Sequence, residues 1–166
     1  GEPVTARACR AVEGHKSNGV NAAYRAPEQL GSECVMGAVG AGMNQWQMLS
    51  RCAREADFDC FLLAGRYTLL DQSAFTELMP LAAERGIAVI AGGVFNSGVL
   101  ADPKPSSRFN YQQAPPELIE KARRIATVCA RHGVLLKTAA VQFPSAHPAV
   151  STVLSGSRSA AQVAEN

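Results

Sequence analysis

A chain of 166 residues that is 47% hydrophobic and 18% charged, with a formal net charge of +2, is long enough to bury one core and too apolar to be disordered. Its Lys and Arg are scattered, which removes the basic stripe of a nucleic-acid binder, and no apolar run reaches the ~18 residues of a membrane span. The first residues lack the charged-then-apolar layout of a signal peptide, so a cytoplasmic protein is expected, and the five widely spaced cysteines contain no CxxC, which excludes a zinc site or disulfide framework.

Residues 1–20 show no clear period and read as loop or linker; 22–30 read as a helix that Pro27 must enter in its first turn or kink. Val35 to Gly40 is an apolar run without alternation, as expected of a strand buried on both faces of a parallel sheet. Asn44 then stands as a helix N-cap with Gln47 completing a capping box, and Met48, Leu49, Cys52 and Ala53 recur at helical spacing.

The unit repeats. Phe58 to Leu63 is a second strand, Arg66 to Gln72 a polar loop, and Leu78, Leu81 and Ala82 a helical face that starts near Glu77 and stops at Arg85-Gly86. Ile87 to Ala91 is a third strand, followed by an irregular excursion from Gly92 to Ala114 of a length that is usually functional or mobile. Pro115-Pro116-Glu117 opens a strong helix whose Leu118, Ile119, Ala122, Ile125, Ala126 and Cys129 keep the 3.6-residue period to Arg131-His132-Gly133, with His132 a basic residue of the last turn. A short helix over Thr138 to Phe143 precedes a last strand, Val150 to Leu154. Cys52, Cys60 and Cys129 fall in apolar runs and are expected as reduced core residues.

Strands separated by single helices imply right-handed βαβ crossovers and an α/β fold with a parallel sheet. Four such units are visible, and four do not close a (β/α)8 barrel of about 250 residues. A flavodoxin-like fold fits the same rhythm but needs a phosphate loop or acidic pocket after its first strand, and none is present. The chain ends on a strand, a Ser155-Gly156-Ser157-Arg158 turn and an amphipathic helix. That arrangement suits an anion, because the first N–H groups of a helix lack intrahelical partners, although many such junctions bind nothing.

GAGMNQW at 40–46, DCFLLAGRYTLLDQ at 59–72, GIAVIAGGVFNSGVL at 86–100 and the tail VSTVLSGSRSAAQVAEN from Val150 resemble the aldo-keto reductase superfamily. The branch they resemble is that of the bacterial sugar dehydrogenases acting on L-fucose, D-galactose or D-threo-aldoses. The resemblance covers residues 21–166 and leaves 1–20 outside. It implies the C-terminal half of a (β/α)8 barrel, strands five to eight, with NADP or NAD lying across the C-terminal strand ends.

The resemblance also assigns residues. Asn44 matches the Asn that bonds the nicotinamide carboxamide, in competition with its N-cap role. Phe95, Asn96, Ser97 and Gly98 match the pyrophosphate loop, where small residues permit close backbone approach and hydroxyls can bond phosphate; an ordinary Asn-Ser-Gly turn is the plainer alternative. Gly156, Ser157 and Arg158 match the phosphate-facing turn of the tail, with Gln162, Glu165 and Asn166 beside adenine. A guanidinium offers a planar fork to a 2′-phosphate, which favours NADP over NAD.

The pattern departs from the superfamily in four places. Leu63 or Ala64 stands where a Gln often touches the carboxamide, Gly92 where an aromatic residue stacks on nicotinamide, and Cys34 where a glycine usually ends a helix. The catalytic tetrad of Tyr, Asp, Lys and His belongs to strands two to four, so Tyr24, Tyr67, Tyr111, His15, His132 and His147 are not at tetrad positions and no residue here is catalytic. The expectation is a coenzyme-binding part of an enzyme that oxidises an aldose at C1, inactive by itself. The alternative is a non-catalytic half-barrel that binds nucleotide or associates with itself.

Overall fold

The computed structural model describes Tyr24, Gln29 and residues 37–157 and 159–165. In chain order its elements are β1 (Gly40–Met43), α1 (Trp46–Glu55), β2 (Cys60–Ala64), α2 (Leu78–Arg85), β3 (Ala88–Gly92), β4 (Arg108–Phe109), β5 (Gln112–Gln113), α3 (Pro116–Arg131), α4 (Leu136–Gln142), a 3-10 turn (Phe143–Ala146), β6 (Val150–Leu154) and α5 (Ala160–Glu165). Tyr24 and Gln29, the described residues of the segment read as an early helix, are both helical.

Four strands form one parallel sheet in the order β1-β2-β3-β6, each beside its predecessor. A doubly wound sheet reverses its strand order partway, and this one does not. Winding in one direction keeps the connecting elements on one face. Ala41 and Met43, Phe61 and Leu63, Val89, and Val150 turn to that face, where they pack with Leu49, Cys52 and Ala53 of α1, Leu78, Met79 and Ala82 of α2, and Phe143. Each large apolar side chain fully buried there contributes about 1.5–3 kcal/mol. The opposite face carries Gly40, Gly42, Cys60, Leu62, Ala64, Ala88 and Ile90, which are half-buried or exposed and belong to neither core cluster.

A second cluster joins Leu70, Val99, Leu100 and Ala114 to Ile119 and Ala122 of α3 and Ala140 of α4. It anchors the 92–114 excursion, so this long segment is packed and carries its own short ribbon, β4 with β5. Lys121 adds a tie by donating from Nζ to the Leu70 carbonyl at 2.8 Å.

The helix stops follow the sequence closely. Gly86 takes φ +67, its N–H donates to Ala83 O at 3.3 Å, and Ile87 N–H donates to Ala82 O at 2.8 Å, the two bonds of a Schellman motif. Gly133 at φ +68 repeats it, with Gly133 N–H to Ala130 O and Val134 N–H to Cys129 O, both 3.0 Å, and His132 as the C-cap. Pro80 is the third residue of α2, where its missing N–H breaks no helical bond.

Four expectations need correction. The first strand begins at Gly40, where the sequence pattern ends it, and a Cβ at Gly40 would meet Cys60 Sγ at 2.6 Å and Cys60 O at 2.9 Å. The glycine therefore marks a close approach of β1 to β2 where the strand starts. Since β1 runs to Met43, α1 starts at Trp46 with Gln45 as N-cap and no side-chain cap bond, so Asn44 is not the cap and no capping box forms with Gln47. Met48 is exposed, its place on the buried face taken by Ser50. Of the three thiols expected in the core, Cys52 is buried whereas Cys60 and Cys129 are only partly so. Val35, Met36 and Cys34 lie outside the described residues.

The last strand contains one irregularity. Val89 pairs with Val150 but Ile90 pairs with Thr152, so Ser151 is an extra residue, and its hydroxyl donates to Val89 O at 3.4 Å. The bulge places Thr152 and Leu154 in line with Ile90 and Gly92.

Candidate functional site

In a parallel sheet the C-terminal strand ends share one edge. Here that edge receives Asn44 after β1, the loop from Gly65 after β2, the loop from Gly93 after β3, and Ser155, Gly156 and Ser157 after β6. The described residues singled out in the sequence thus fall at one edge of one sheet, with Gln162 beyond them on α5. Arg158 and Asn166 lie outside the described residues.

Two left-handed glycines stand side by side where β2 and β3 end. Gly65 has φ +68 and Gly93 φ +64, and a Cβ at Gly93 would come 3.1 Å from Gly65 N. Gly65 N–H donates to Gly92 O at 2.8 Å, which continues the ladder into the loops. A side chain at Gly93 would press on the Gly65 backbone, whereas at Gly65 it is the positive φ that favours glycine.

The loop after β2, a polar loop in the sequence, is organised by Arg66, Thr68 and Asp71. Thr68 Oγ1 accepts from the N–H groups of Leu70 (3.2 Å) and Asp71 (3.0 Å), and Thr68 N–H donates to Asp71 O at 2.8 Å. Asp71 uses both carboxylate oxygens, Oδ1 for Ser73 N–H at 3.0 Å and Oδ2 for Arg66 Nη1 at 2.9 Å. Burial by itself would raise the Asp71 pKa, but the bonds from Ser73 and the Arg66 cation outweigh it and hold the carboxyl below its usual range. The T-x-x-D-x-S spacing, which supports an ST-turn followed by an Asx-turn, was the available signal.

The loop after β3 is strained. Asn96, Ser97 and Gly98 have consecutive φ values of +47, +60 and +104. Asn tolerates this region and Gly prefers it, but Ser97 does so at about 1 kcal/mol or more. Asn96 turns inward, only 4% exposed, where its Oδ1 accepts from Thr68 Oγ1 at 2.6 Å and its Nδ2 donates to Gly65 O at 3.2 Å. Its side chain therefore clamps the β2 and β3 loops together and is not presented to a ligand. Phe95 is half-buried against the second core cluster. Ser97 is exposed and its Oγ accepts Tyr111 N–H at 3.2 Å, which leaves the hydroxyl proton to donate outward. Nothing lies within 4 Å of a Cβ built on Gly98 or on Gly156.

Asn44 is exposed at the end of β1, and its carbonyl accepts from Arg66 Nε at 3.3 Å. On the tail, Ser159 caps α5, its Oγ accepting Gln162 N–H at 3.3 Å, so one N-terminal donor of that short helix is already engaged.

Tyr67 and His147 belong to an aromatic cluster. Tyr67 is buried among Phe75, Phe143 and His147, with burial pushing its hydroxyl pKa up and that of His147 down. His147 Nδ1 accepts Ala149 N–H at 3.2 Å, and Tyr111 is 88% exposed. Among the described residues no three His, Cys, Asp or Glu could hold a metal ion, and no helix is long and apolar enough to cross a membrane.

A backbone-rich edge with glycines, an outward hydroxyl and an uncommitted amide suits an extended polar ligand with anionic groups, laid across the strand ends. Comparison with known proteins gives that ligand a context. The chain is 44% identical over 144 residues to a pyridoxal 4-dehydrogenase from Microbacterium luteolum, covering 86% of this chain and 42% of that protein. It is 43% identical over 146 residues to a D-threo-aldose 1-dehydrogenase from a Pseudomonas species, covering 87% and 44%, and 28% identical over 97 residues to an L-galactose dehydrogenase from Arabidopsis thaliana, covering 58% and 30%. The chain spans less than half the length of these relatives. Residues 15–166 match the Aldo/keto reductase family, and with the ordered parallel sheet beneath them they establish that this chain belongs to it.

Proposed function

We propose that β1, β2, β3 and β6 are strands five to eight of a (β/α)8 barrel, and that the chain forms the coenzyme wall of an NAD(P)-dependent oxidoreductase that oxidises an aldose at C1. The observation that carries this reading is the convergence of Asn44, Ser97, Gly98, Gly156 and Ser157 at the C-terminal edge of a sheet wound in one direction. The open backbone at Gly98 and Gly156 and the outward Ser97 hydroxyl fit a pyrophosphate. Bound nicotinamide would supply the hydride acceptor.

The chain's own residues bind and orient. The Asn44 amide carries both a donor and an acceptor, which matches a carboxamide, and it is spared from helix capping. The half-buried sheet face with Leu62, Ala64 and Gly92 offers an apolar floor beside it. Arg158 takes a 2′-phosphate, which makes NADP the favoured coenzyme, while Gln162 and Asn166 flank adenine. The chain carries no catalytic acid in this reading, and the 166 residues by themselves are expected to turn over no aldose.

Coenzyme titration of the full-length protein, followed by fluorescence quenching, tests this. Arg158→Ala should weaken NADPH about tenfold or more, the worth of a charge-assisted hydrogen bond, and NADH little. Equal losses would remove the 2′-phosphate assignment, and a wild-type protein that binds neither coenzyme would remove the reading.

A further inference from the structure

Arg66 connects two strand ends through one planar group. It leaves the loop two residues after Ala64, and its Nε reaches across to the Asn44 carbonyl at 3.3 Å while Nη1 holds Asp71 Oδ2 at 2.9 Å. The two ion-pair side chains are only 22% and 19% exposed, so this is no solvated surface pair. Asp71 is fixed in turn, by Ser73 N–H on its other oxygen and by Thr68 on its own N–H. Ala74 N–H closes the loop onto Arg66 O at 3.2 Å. Thr68 carries the framework on to Asn96 and so to the β3 loop.

Asn44 is the weakly held member of this arrangement. It is exposed, α1 begins after it without a side-chain cap, and the Arg66 bond is the one side-chain hydrogen bond to it among the described residues. A guanidinium suits the task, because its donors lie in a rigid fork that can span a carboxylate and a carbonyl at fixed separation; a lysine ammonium satisfies one and loses the other.

We propose that Arg66, set by Asp71, is a positioning residue that fixes the Asn44 peptide and thereby the orientation in which its amide meets a nicotinamide carboxamide. This rests on the assignment of Asn44 above. Arg66 spends Nε and Nη1 on Asn44 and Asp71. It acts on selectivity for the carboxamide through Asn44.

The test compares NADP with its 3-acetylpyridine analogue, in which a methyl replaces the amide NH2, by measuring both dissociation constants in the full-length protein. Wild type should bind the analogue about tenfold more weakly, the upper worth of one neutral hydrogen bond. Asn44→Ala should abolish that discrimination. Arg66→Met should reduce it to about twofold, Asp71→Asn should do so partly, and Arg66→Lys should not restore it. Full tenfold discrimination in Arg66→Met overturns the positioning role. Discrimination that survives Asn44→Ala overturns the carboxamide assignment itself, and the positioning role falls with it. Should Arg66→Met fail to fold, Asp71→Asn, which keeps the shape and removes the charge, decides the same comparison.

Discussion

Replacing Asn96 by alanine should cost more stability than any surface change in this chain. The substitution removes the 2.6 Å bond from Thr68 and the 3.2 Å bond to Gly65 O, and takes the acceptor from the buried Thr68 hydroxyl and the donor from the part-buried Gly65 carbonyl. A stranded buried polar group costs about 1–3 kcal/mol. Alanine at φ +47 adds about 1 kcal/mol that Asn largely avoids. The sum is about 2–4 kcal/mol. Thr68→Val deletes the other half of the bond together with the turn bonds to Leu70 and Asp71, and should cost about 2–3 kcal/mol. Because the two variants remove a shared interaction, the double variant should be more stable than the sum by about 1–2 kcal/mol. Urea unfolding at pH 7 of the four proteins in the cycle, with midpoint and slope both fitted, gives the coupling. Additivity within about 0.5 kcal/mol, or an Asn96→Ala loss under about 1 kcal/mol, would refute the clamp between the two loops.

Ser97→Gly should raise the melting temperature, since glycine relieves the φ +60 strain of about 1 kcal/mol, while weakening NADPH several-fold through loss of the hydroxyl; a destabilised variant would contradict the strain. His147 gives a pH signature. Its folded pKa is depressed by burial below the ordinary 6.5, so the unfolded chain takes the proton first. The contribution of the neutral ring is complete above about pH 6.5 and is lost as pH falls towards the folded value. Melting temperatures between pH 8 and 5 should fall more steeply for wild type than for His147→Asn, and parallel curves would exclude the effect.

Local signals in the sequence located most of the elements. Arg85-Gly86 and His132-Gly133 end helices by backbone geometry that glycine alone adopts cheaply, and Pro115-Pro116 opens one for the complementary reason. These constraints act within a few residues and so are visible in a string. What was not visible depends on contacts between strands. Gly40 reads as the end of the first strand until Cys60 is placed beside it, and Asn44 reads as a cap until β1 is seen to run on to Met43. Asn96 reads as a ligand contact until Thr68, 28 residues earlier, is found against it. At the candidate site, chain position brings Asn44, Ser97, Gly98, Gly156 and Ser157 to one edge of the sheet. The division between residues that face outward and residues that hold the loops required the fold.

The pairing of β3 with β6 has a kinetic side. Val89 meets Val150 across 61 residues (150 − 89), whereas Gly40 meets Cys60 across 20 (60 − 40) and Cys60 meets Ala88 across 28 (88 − 60). Closing the longest of these loops costs about 1 kcal/mol more than the shortest, and the Ser151 bulge interrupts the ladder that compensates it. The last strand should therefore zip onto the sheet after the other three and be the first to peel away. Its amides should exchange with solvent sooner than those of Phe61 or Leu63. The Ser155-Gly156-Ser157 turn rides on that strand, so it becomes ordered only when the rest of the edge is already built, and a ligand that grips it would slow the unzipping of the whole sheet.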